Sequence, residues 1–224
     1  MMIKHLSHSG FMVDITPWRL FFDPITPLET SDQTLFFISH SHHDHFRKSI
    51  LPQANQYINY IVSKDVHLTQ SSHIYTLAPY ERLNIQDIDI RAYGTTDLGN
   101  SYLVSVNNMT FFHSGDLNWW HWERMSPDEL KLEEINFKNE LKQLQGKKIN
   151  FAFIPVDPRL NKFAYLAMNY FIDLLKPQYV IPMHSFGNYA FYKDLKENLK
   201  LNGTTLINVL EENEMIYQSA SVTR

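Results

Sequence analysis

The chain has 224 residues, of which 44% are hydrophobic and 20% are charged, a balance that excludes an intrinsically disordered polypeptide. Its net charge of -4, with histidine counted as neutral, argues against nucleic-acid binding, so we expect no DNA or RNA partner. The absence of cysteine excludes disulfides and a thiol nucleophile, and leaves only nitrogen and oxygen ligands for any metal.

Short strands separated by turns are predicted for the first half of the chain. Residues 11–15 and 18–22 form a predicted hairpin through Thr16-Pro17, and residues 34–38 are a continuous apolar run, typical of a strand covered on both faces. Further strands are predicted at residues 57–62, 73–77, 88–93, 101–106 and 109–112.

Helices alternate with strands in the second half. Ser126, Pro127 and Glu129 indicate a capped helix start, and this helix is expected to end near Leu144, before Gly146. Helices are also predicted at residues 164–175 and 190–199, and strands at residues 149–154, 179–181, 205–210 and 215–218.

No repeat or flexible linker interrupts the chain, so a single domain spanning residues 1–224 is expected. The order of elements suggests packed sheets with helices outside. No apolar run approaches the roughly 20 residues of a membrane span, and no signal peptide is recognised. A cytoplasmic location is therefore expected, and the oligomeric state is left open.

A histidine-rich segment, His40-Ser41-His42-His43-Asp44-His45, directly follows the apolar strand at residues 34–38. In extended backbone His40 and His42 point the same way and can reach one ion, whereas His43 points away. If the chain then turns into a helix, Asp44 and His45 project toward a neighbouring position. Imidazole and carboxylate together suit zinc, iron or manganese. The alternative interpretation is a solvated, histidine-rich loop.

This His-x-His-x-Asp-His segment resembles the signature of the metallo-β-lactamase superfamily. The resemblance implies an α+β fold, a four-layer αββα sandwich with a metal site along one edge. It also implies a bridging carboxylate in a Gly-Asp pair, matched by Asp116, and a last histidine after a later strand, matched by His184. The segments around His8 and Asp23 resemble the branch that includes ascorbate-6-phosphate lactonase and the phospholipase D that cleaves N-acyl phosphatidylethanolamine.

One departure from the family pattern concerns the first ion. The family usually places a further histidine before the Gly-Asp pair, and residues 91–99 contain none. Asp97 could ligate instead, His113 could reach in, or the first ion could be weak or absent; we favour Asp97 near the site. Otherwise, His113 either supports the ligands or simply packs in the interior. His8 either lies near the active site or forms part of a capped turn.

Two groups of side chains are candidates for a substrate pocket. Trp119 and Trp120 follow Asp116 closely and could wall a pocket or pack the next helix onto the sheet, and we favour the pocket. Arg159 follows another strand end and could pair with an anionic group of a substrate, although a structural ion pair with Asp157 is the commoner arrangement.

The resemblance implies a hydrolase in which a metal-bound hydroxide attacks an ester-type bond, a phosphodiester or lactone, of a small-molecule substrate. Asp44 would be the catalytic residue that orients or deprotonates the attacking water. The expected cofactor is one or two zinc ions, with manganese or iron as alternatives. The other interpretations are a degenerate, metal-binding sensor or scaffold without hydrolytic activity, and di-iron redox chemistry with a flavin-binding partner domain.

Overall fold

Two mixed β-sheets form the centre of the protein in a computed structural model that describes residues 1–30, 33–53, 58–69 and 71–219. The first sheet consists of β1 (Met2–Ser7), β2 (Gly10–Ile15), β3 (Trp18–Phe22), β4 (Thr34–Ile38), β5 (Ile58–Ser63), β6 (Ile74–Leu77) and β14 (Met215–Gln218). Its strand order is β14-β1-β2-β3-β4-β5-β6. The pairs from β14 to β3 are antiparallel and those from β3 to β6 are parallel.

The second sheet has the order β13-β12-β11-β10-β9-β8-β7. It consists of β7 (Arg82–Ile85), β8 (Ile88–Tyr93), β9 (Ser101–Val106), β10 (Met109–His113), β11 (Phe151–Pro155), β12 (Tyr179–Met183) and β13 (Thr205–Leu206). Strands β10 to β13 are parallel, so their carboxyl ends meet at one edge, whereas β7 to β10 are antiparallel.

The described α-helices are α1 (Pro127–Lys142), α2 (Leu166–Leu175) and the short α3 (Leu195–Asn198). Helix α1 begins with the predicted capping box, in which Ser126 Oγ accepts from the Glu129 backbone N–H at 3.3 Å and the Glu129 carboxylate accepts from the Ser126 backbone N–H at 2.7 Å. Single 3₁₀ turns occupy Lys48–Gln53, Pro158–Phe163 and Tyr189–Tyr192.

Several predicted elements differ from the structure. The helix predicted at residues 190–199 is a 3₁₀ turn followed by the single turn of α3, and the strand predicted at residues 205–210 is only the two-residue β13. Strands β1 and β7 were not predicted, because β1 buries the polar His5 and β7 is a four-residue, partly exposed edge strand. The first residue of the predicted strand 57–62 lies outside the described residues.

Alternation along β4 explains why the strand is apolar on both faces. Leu35 and Phe37 belong to the core between the two sheets, and Phe36 and Ile38 belong to a second cluster on the outer face of the first sheet. Ile50 of the first 3₁₀ turn caps that outer cluster. Most of the covering layer there is therefore 3₁₀ and irregular structure, in place of a long helix.

Helices α1 and α2 cover the outer face of the second sheet. Phe171 of α2 stacks on Phe112 of β10 with ring centroids 5.4 Å apart, and Phe137 of α1 lies 6.1 Å from Tyr170 of α2. The two packed sheets with helices outside agree with the predicted sandwich, although the layer over the first sheet is 3₁₀ and irregular structure. None of the described helices has both the length and the apolar composition needed to cross a bilayer.

Candidate metal centre and substrate pocket

The candidate site lies where both sheets end at a common edge. His40 to His45 follow β4 of the first sheet, whereas Asp116 and His184 follow β10 and β12 of the second sheet. Hydrogen bonds tie the two sheets together here: the Tyr102 hydroxyl donates to the Ile38 carbonyl at 2.9 Å. Residues that are far apart in sequence therefore meet at a rigid edge.

Two groups of side chains each bring candidate ligand atoms within 4.8 Å of one another. The first contains His8, Asp44, His45 and His184, and the second contains His40, His42 and Asp116. In the first group, His8 Nε2 lies 3.3 Å from Asp44 Oδ2. The structure thus places all six residues expected to ligate in these two groups, and adds His8.

Asp116 lies between the two groups. Its Oδ1 is 3.2 Å from His45 Nε2 and 3.4 Å from His184 Nε2, and its Oδ2 is 3.6 Å from His40 Nε2. Each carboxylate oxygen therefore faces a different group. This is the arrangement required of a carboxylate that bridges two ions.

The buried polar atoms at this point lack ordinary partners. His45 Nε2, His184 Nε2 and Asp116 Oδ1 are buried, and none forms a hydrogen bond within the part of the chain that the structure describes. Leaving such atoms unsatisfied costs about 1–3 kcal/mol each. A divalent cation would satisfy all three at once, and mixed imidazole and carboxylate donors suit zinc, manganese and iron. The residues present therefore fit a metal centre.

The outward-facing nitrogens of the histidines are held by other polar groups. His45 Nδ1 lies 2.8 Å from Asp23 Oδ2, and His184 Nδ1 lies 3.2 Å from Asp157 Oδ2. Such partners fix the tautomer and orientation of a ligating imidazole. The sequence indicated neither role. Asp23 directly follows the predicted strand at residues 18–22, Asp157 lies three residues after the end of the one at 149–154, and each precedes a proline.

The electrostatics of the site divide its histidines into a neutral pair and a pair coupled to Asp116. Burial lowers the pKa of His40 and of His8 to about 4, so both imidazoles are neutral at pH 7. Burial opposes ionisation of Asp116, but His45 and His184 together outweigh it and hold the pKa of Asp116 well below its usual range. Burial also lowers the pKa of His45, but the Asp116 and Asp23 carboxylates together outweigh it and raise that pKa to about 10. Because a ligating imidazole must be neutral, a cation bound here would displace this proton from His45.

Strained backbone surrounds the site. His8, Asp23 and His184 have positive φ angles of 50°, 41° and 72°, a region that costs non-glycine residues roughly 1–3 kcal/mol. Gly99 has φ 76°, and a Cβ there would lie 2.1 Å from the Ser39 carbonyl oxygen and 2.6 Å from His40 Cβ. Only glycine allows the loop before β9 to pack directly against His40.

Two residues considered as replacement ligands lie outside both groups. Asp97 is exposed on the wall of the adjoining cavity. His113 is buried with both ring nitrogens engaged: Nε2 lies 2.9 Å from the Ser9 carbonyl oxygen, and Nδ1 accepts from the Gly115 backbone N–H at 3.2 Å. The structure therefore brings His8, and neither Asp97 nor His113, among the candidate ligand atoms.

A cavity of about 470 Å³ opens directly beside the two groups. Trp120 lines it, with its ring 5.8 Å from that of His184. Trp119 does not line it, and its ring packs 5.9 Å from Phe137 and 6.1 Å from Tyr170. The expectation that both tryptophans wall the pocket is thus wrong for Trp119, because successive side chains here face opposite ways.

Comparisons with known proteins give this chain a family and a fold. A UPF0173 metal-dependent hydrolase of Nanoarchaeum equitans is 28% identical over 203 residues, which cover 82% of this chain and 83% of that protein. An isothiocyanate hydrolase from Delia radicum gut bacteria superposes with a TM-score of 0.60 at 13% identity, covering 98% of this chain and all of that one (100%).

The diiron β-hydroxylase CmlA from Streptomyces venezuelae superposes with a TM-score of 0.57 at 10% identity. The match covers 94% of this chain, which spans about half (52%) of the CmlA chain. At such identities the solved structures show a shared fold alone. Residues 2–184 match the family model of the beta-lactamase superfamily domain, so the chain belongs to the beta-lactamase superfamily.

Proposed function

We propose that this chain is a single-domain, metal-dependent hydrolase that cleaves an ester-type bond, a phosphodiester or a lactone, in a small molecule. The observation that carries the proposal is the convergence of three buried, unpartnered atoms: His45 Nε2, His184 Nε2 and Asp116 Oδ1. The name of the relative from Nanoarchaeum equitans, a metal-dependent hydrolase, supports the same function.

Two divalent ions, most simply zinc, would be held by the two groups with Asp116 shared between them. One ion would take His40, His42 and Asp116; the other would take Asp44, His45, His184 and Asp116. Manganese and iron are the alternative metals for such donors. When bound, the ions lower the pKa of a water molecule and polarise the bond under attack.

Asp44 would orient the attacking water or act as the base that accepts its proton. The close contact with His8 holds the pKa of Asp44 well below its usual range, despite partial burial, so the carboxylate is ionised at neutral pH. His8 Nε2, 3.3 Å from Asp44 Oδ2, also keeps that carboxylate directed at the site. The two residues together supply a fixed, ionised carboxylate beside the proposed ions, and its lowered pKa suits orienting the water better than accepting its proton.

The cavity beside the two groups supports an enzyme over a degenerate scaffold. It has a volume of about 470 Å³, within the range of small-molecule sites, and includes Asp44, Asp116 and His184 in its lining. A scaffold would not need an open space that gives a ligand direct access to those side chains.

The test is hydrolysis by metal-depleted protein reconstituted with zinc, manganese or iron, using bis(para-nitrophenyl) phosphate and a homoserine lactone. We expect metal-dependent turnover of at least one substrate, and a loss in kcat of about 100-fold or more for Asp44→Asn. His67→Gln, at an exposed histidine outside both groups, serves as the matched control and should retain full turnover. Full activity in Asp44→Asn contradicts its role as base, and an activity that requires iron and O₂ would replace hydrolysis with redox chemistry.

A further inference from the structure

Arg159 is a fixed cation on the wall of the cavity. Its Nε donates to both carboxylate oxygens of Asp157 at 3.0 Å, and its Nη2 donates to Asp157 Oδ2 at 2.6 Å. The Arg159 backbone N–H also donates to Asp157 Oδ1, at 2.9 Å. Asp157 is fully buried and is also bonded to His184. Its paired hydrogen bonds with Arg159 therefore fix the guanidinium relative to the proposed metal centre.

An aromatic platform holds the other side of the guanidinium. Arg159 Cζ lies 3.8 Å from the ring centroid of Phe186 and 5.4 Å from that of Trp122. Phe186 has φ 49°, in the same left-handed turn as His184 and Gly187, and its side chain is 46% exposed. A planar guanidinium stacked on an aromatic face is held by cation–π attraction without losing its in-plane donors.

One edge of the guanidinium remains free. Among the described residues, Arg159 Nη1 donates no hydrogen bond, and the side chain is 48% exposed. Because Arg159 lines the cavity and its side chain is about half exposed, Nη1 is available to a ligand. The planar arrangement of N–H donors matches the oxygens of a carboxylate or phosphate group.

Aromatic and acidic side chains both line the cavity away from the two groups. Trp120, Trp122 and Phe186 supply large aromatic surfaces close to Arg159. Asp97 and Glu133 also line the cavity but come from the loop after β8 and from α1, and neither pairs with Arg159. An anionic group would be repelled by these two carboxylates and attracted to the free edge of Arg159.

We infer that Arg159 binds a carboxylate or phosphate group of the substrate while Trp120, Trp122 and Phe186 pack against an apolar or aromatic part of it. The inference rests on the proposed function and deepens it by naming the substrate class, an apolar anion. Arg159 then places the scissile bond relative to Asp116 and His184, because Asp157 anchors both the guanidinium and the His184 ring.

The test measures affinities of phenylacetate, phenyl phosphate and the neutral phenylacetamide by isothermal titration calorimetry. Losing charge-assisted hydrogen bonds weakens binding by roughly 10-fold or more, so wild type should prefer at least one anion over phenylacetamide by that factor. Arg159→Gln should abolish the preference while leaving the affinity for phenylacetamide unchanged. The better of the two anions identifies carboxylate or phosphate as the recognised group.

Arg124→Gln is the matched control. Arg124 lies 5.6 Å from the same Trp122 ring but does not line this cavity, so its loss removes an equal charge nearby and should leave the preference intact. Arg159→Lys keeps the charge without the paired hydrogen bonds and should lose most of the preference. This second variant keeps the test available if Arg159→Gln does not fold, as judged by thermal denaturation.

Titrating both metal-loaded and metal-depleted protein separates this inference from the proposed function. A preference that survives in Arg159→Gln and disappears on metal depletion means that the ions hold the anion, which overturns the inference. Equal affinity of wild type for anions and phenylacetamide overturns it as well. If the protein takes up no metal but loses its preference in Arg159→Gln, the proposed function fails and the anion site stands.

Discussion

Asp23→Asn tests the polar network that supports the candidate metal centre. The buried Asp23 carboxylate accepts from the Ser39 backbone N–H at 2.7 Å and from Ser39 Oγ at 2.6 Å, and contacts His45 Nδ1 at 2.8 Å. Asparagine keeps the shape of the side chain but loses the charge. Its amide NH₂ is a donor, and it would replace a carboxylate oxygen that faces a donor of Ser39 or His45. Removing one partner of a buried pair costs 3–5 kcal/mol, so we expect about 3 kcal/mol for this near-isosteric change.

The assay for Asp23→Asn is urea denaturation of metal-free protein, followed by measurement of zinc affinity. Because Asp23 orients the His45 imidazole, zinc affinity should also fall by roughly 10- to 100-fold. Asp14→Asn is the matched control: Asp14 pairs with Arg19 at 2.7 Å near the surface, and its loss should cost less than about 1 kcal/mol. A loss below about 1 kcal/mol for Asp23→Asn, with zinc affinity unchanged, would refute the reasoning.

Further predictions concern close packing, the tryptophans and the metal. Gly99→Ala should lower the free energy of unfolding by about 1–3 kcal/mol more than Gly203→Ala, as measured by thermal denaturation. Both glycines have a positive φ, but of the two only Gly99 has a neighbour within 4 Å of an added Cβ. Trp119→Leu should lower stability without changing phenylacetate affinity, whereas Trp120→Leu should weaken phenylacetate binding; equal effects on binding would contradict the assignment. Zinc at a hundredfold excess over its Kd should stabilise wild type by about 2.7 kcal/mol, and a melting temperature that does not respond to EDTA would argue against a bound metal.

The predictions that agree with the structure depend on local sequence patterns. The apolar run of β4 and the capping box of α1 depend on residues close in sequence, and the structure contains both. The histidine-rich segment after β4 identified the superfamily because its spacing is specific, and Asp116 and His184 followed from their order along the chain. These features need no knowledge of how distant elements pack.

Long-range packing decided the features that the sequence did not reveal. His5 is buried by the C-terminal segment, where its Nδ1 lies 2.9 Å from the Glu211 carbonyl oxygen. Because a buried histidine interrupts the apolar pattern, strand β1 was not predicted. The turn between β1 and β2 brings His8 to His184, whose backbone N–H donates to the His8 carbonyl at 3.3 Å. No local pattern encodes that contact, and for the same reason Asp97 looked as suitable a ligand as His8.

Elemental mass spectrometry of purified, metal-loaded protein tests the central claim most directly, using wild type, Asp116→Ala and Asp97→Ala. Because Asp116 lies between both groups and Asp97 lies in neither, we predict about two ions per chain in wild type and in Asp97→Ala. Asp116→Ala should lose most of the bound metal. Absence of metal from wild type under every loading condition, or full occupancy in Asp116→Ala, would contradict the account.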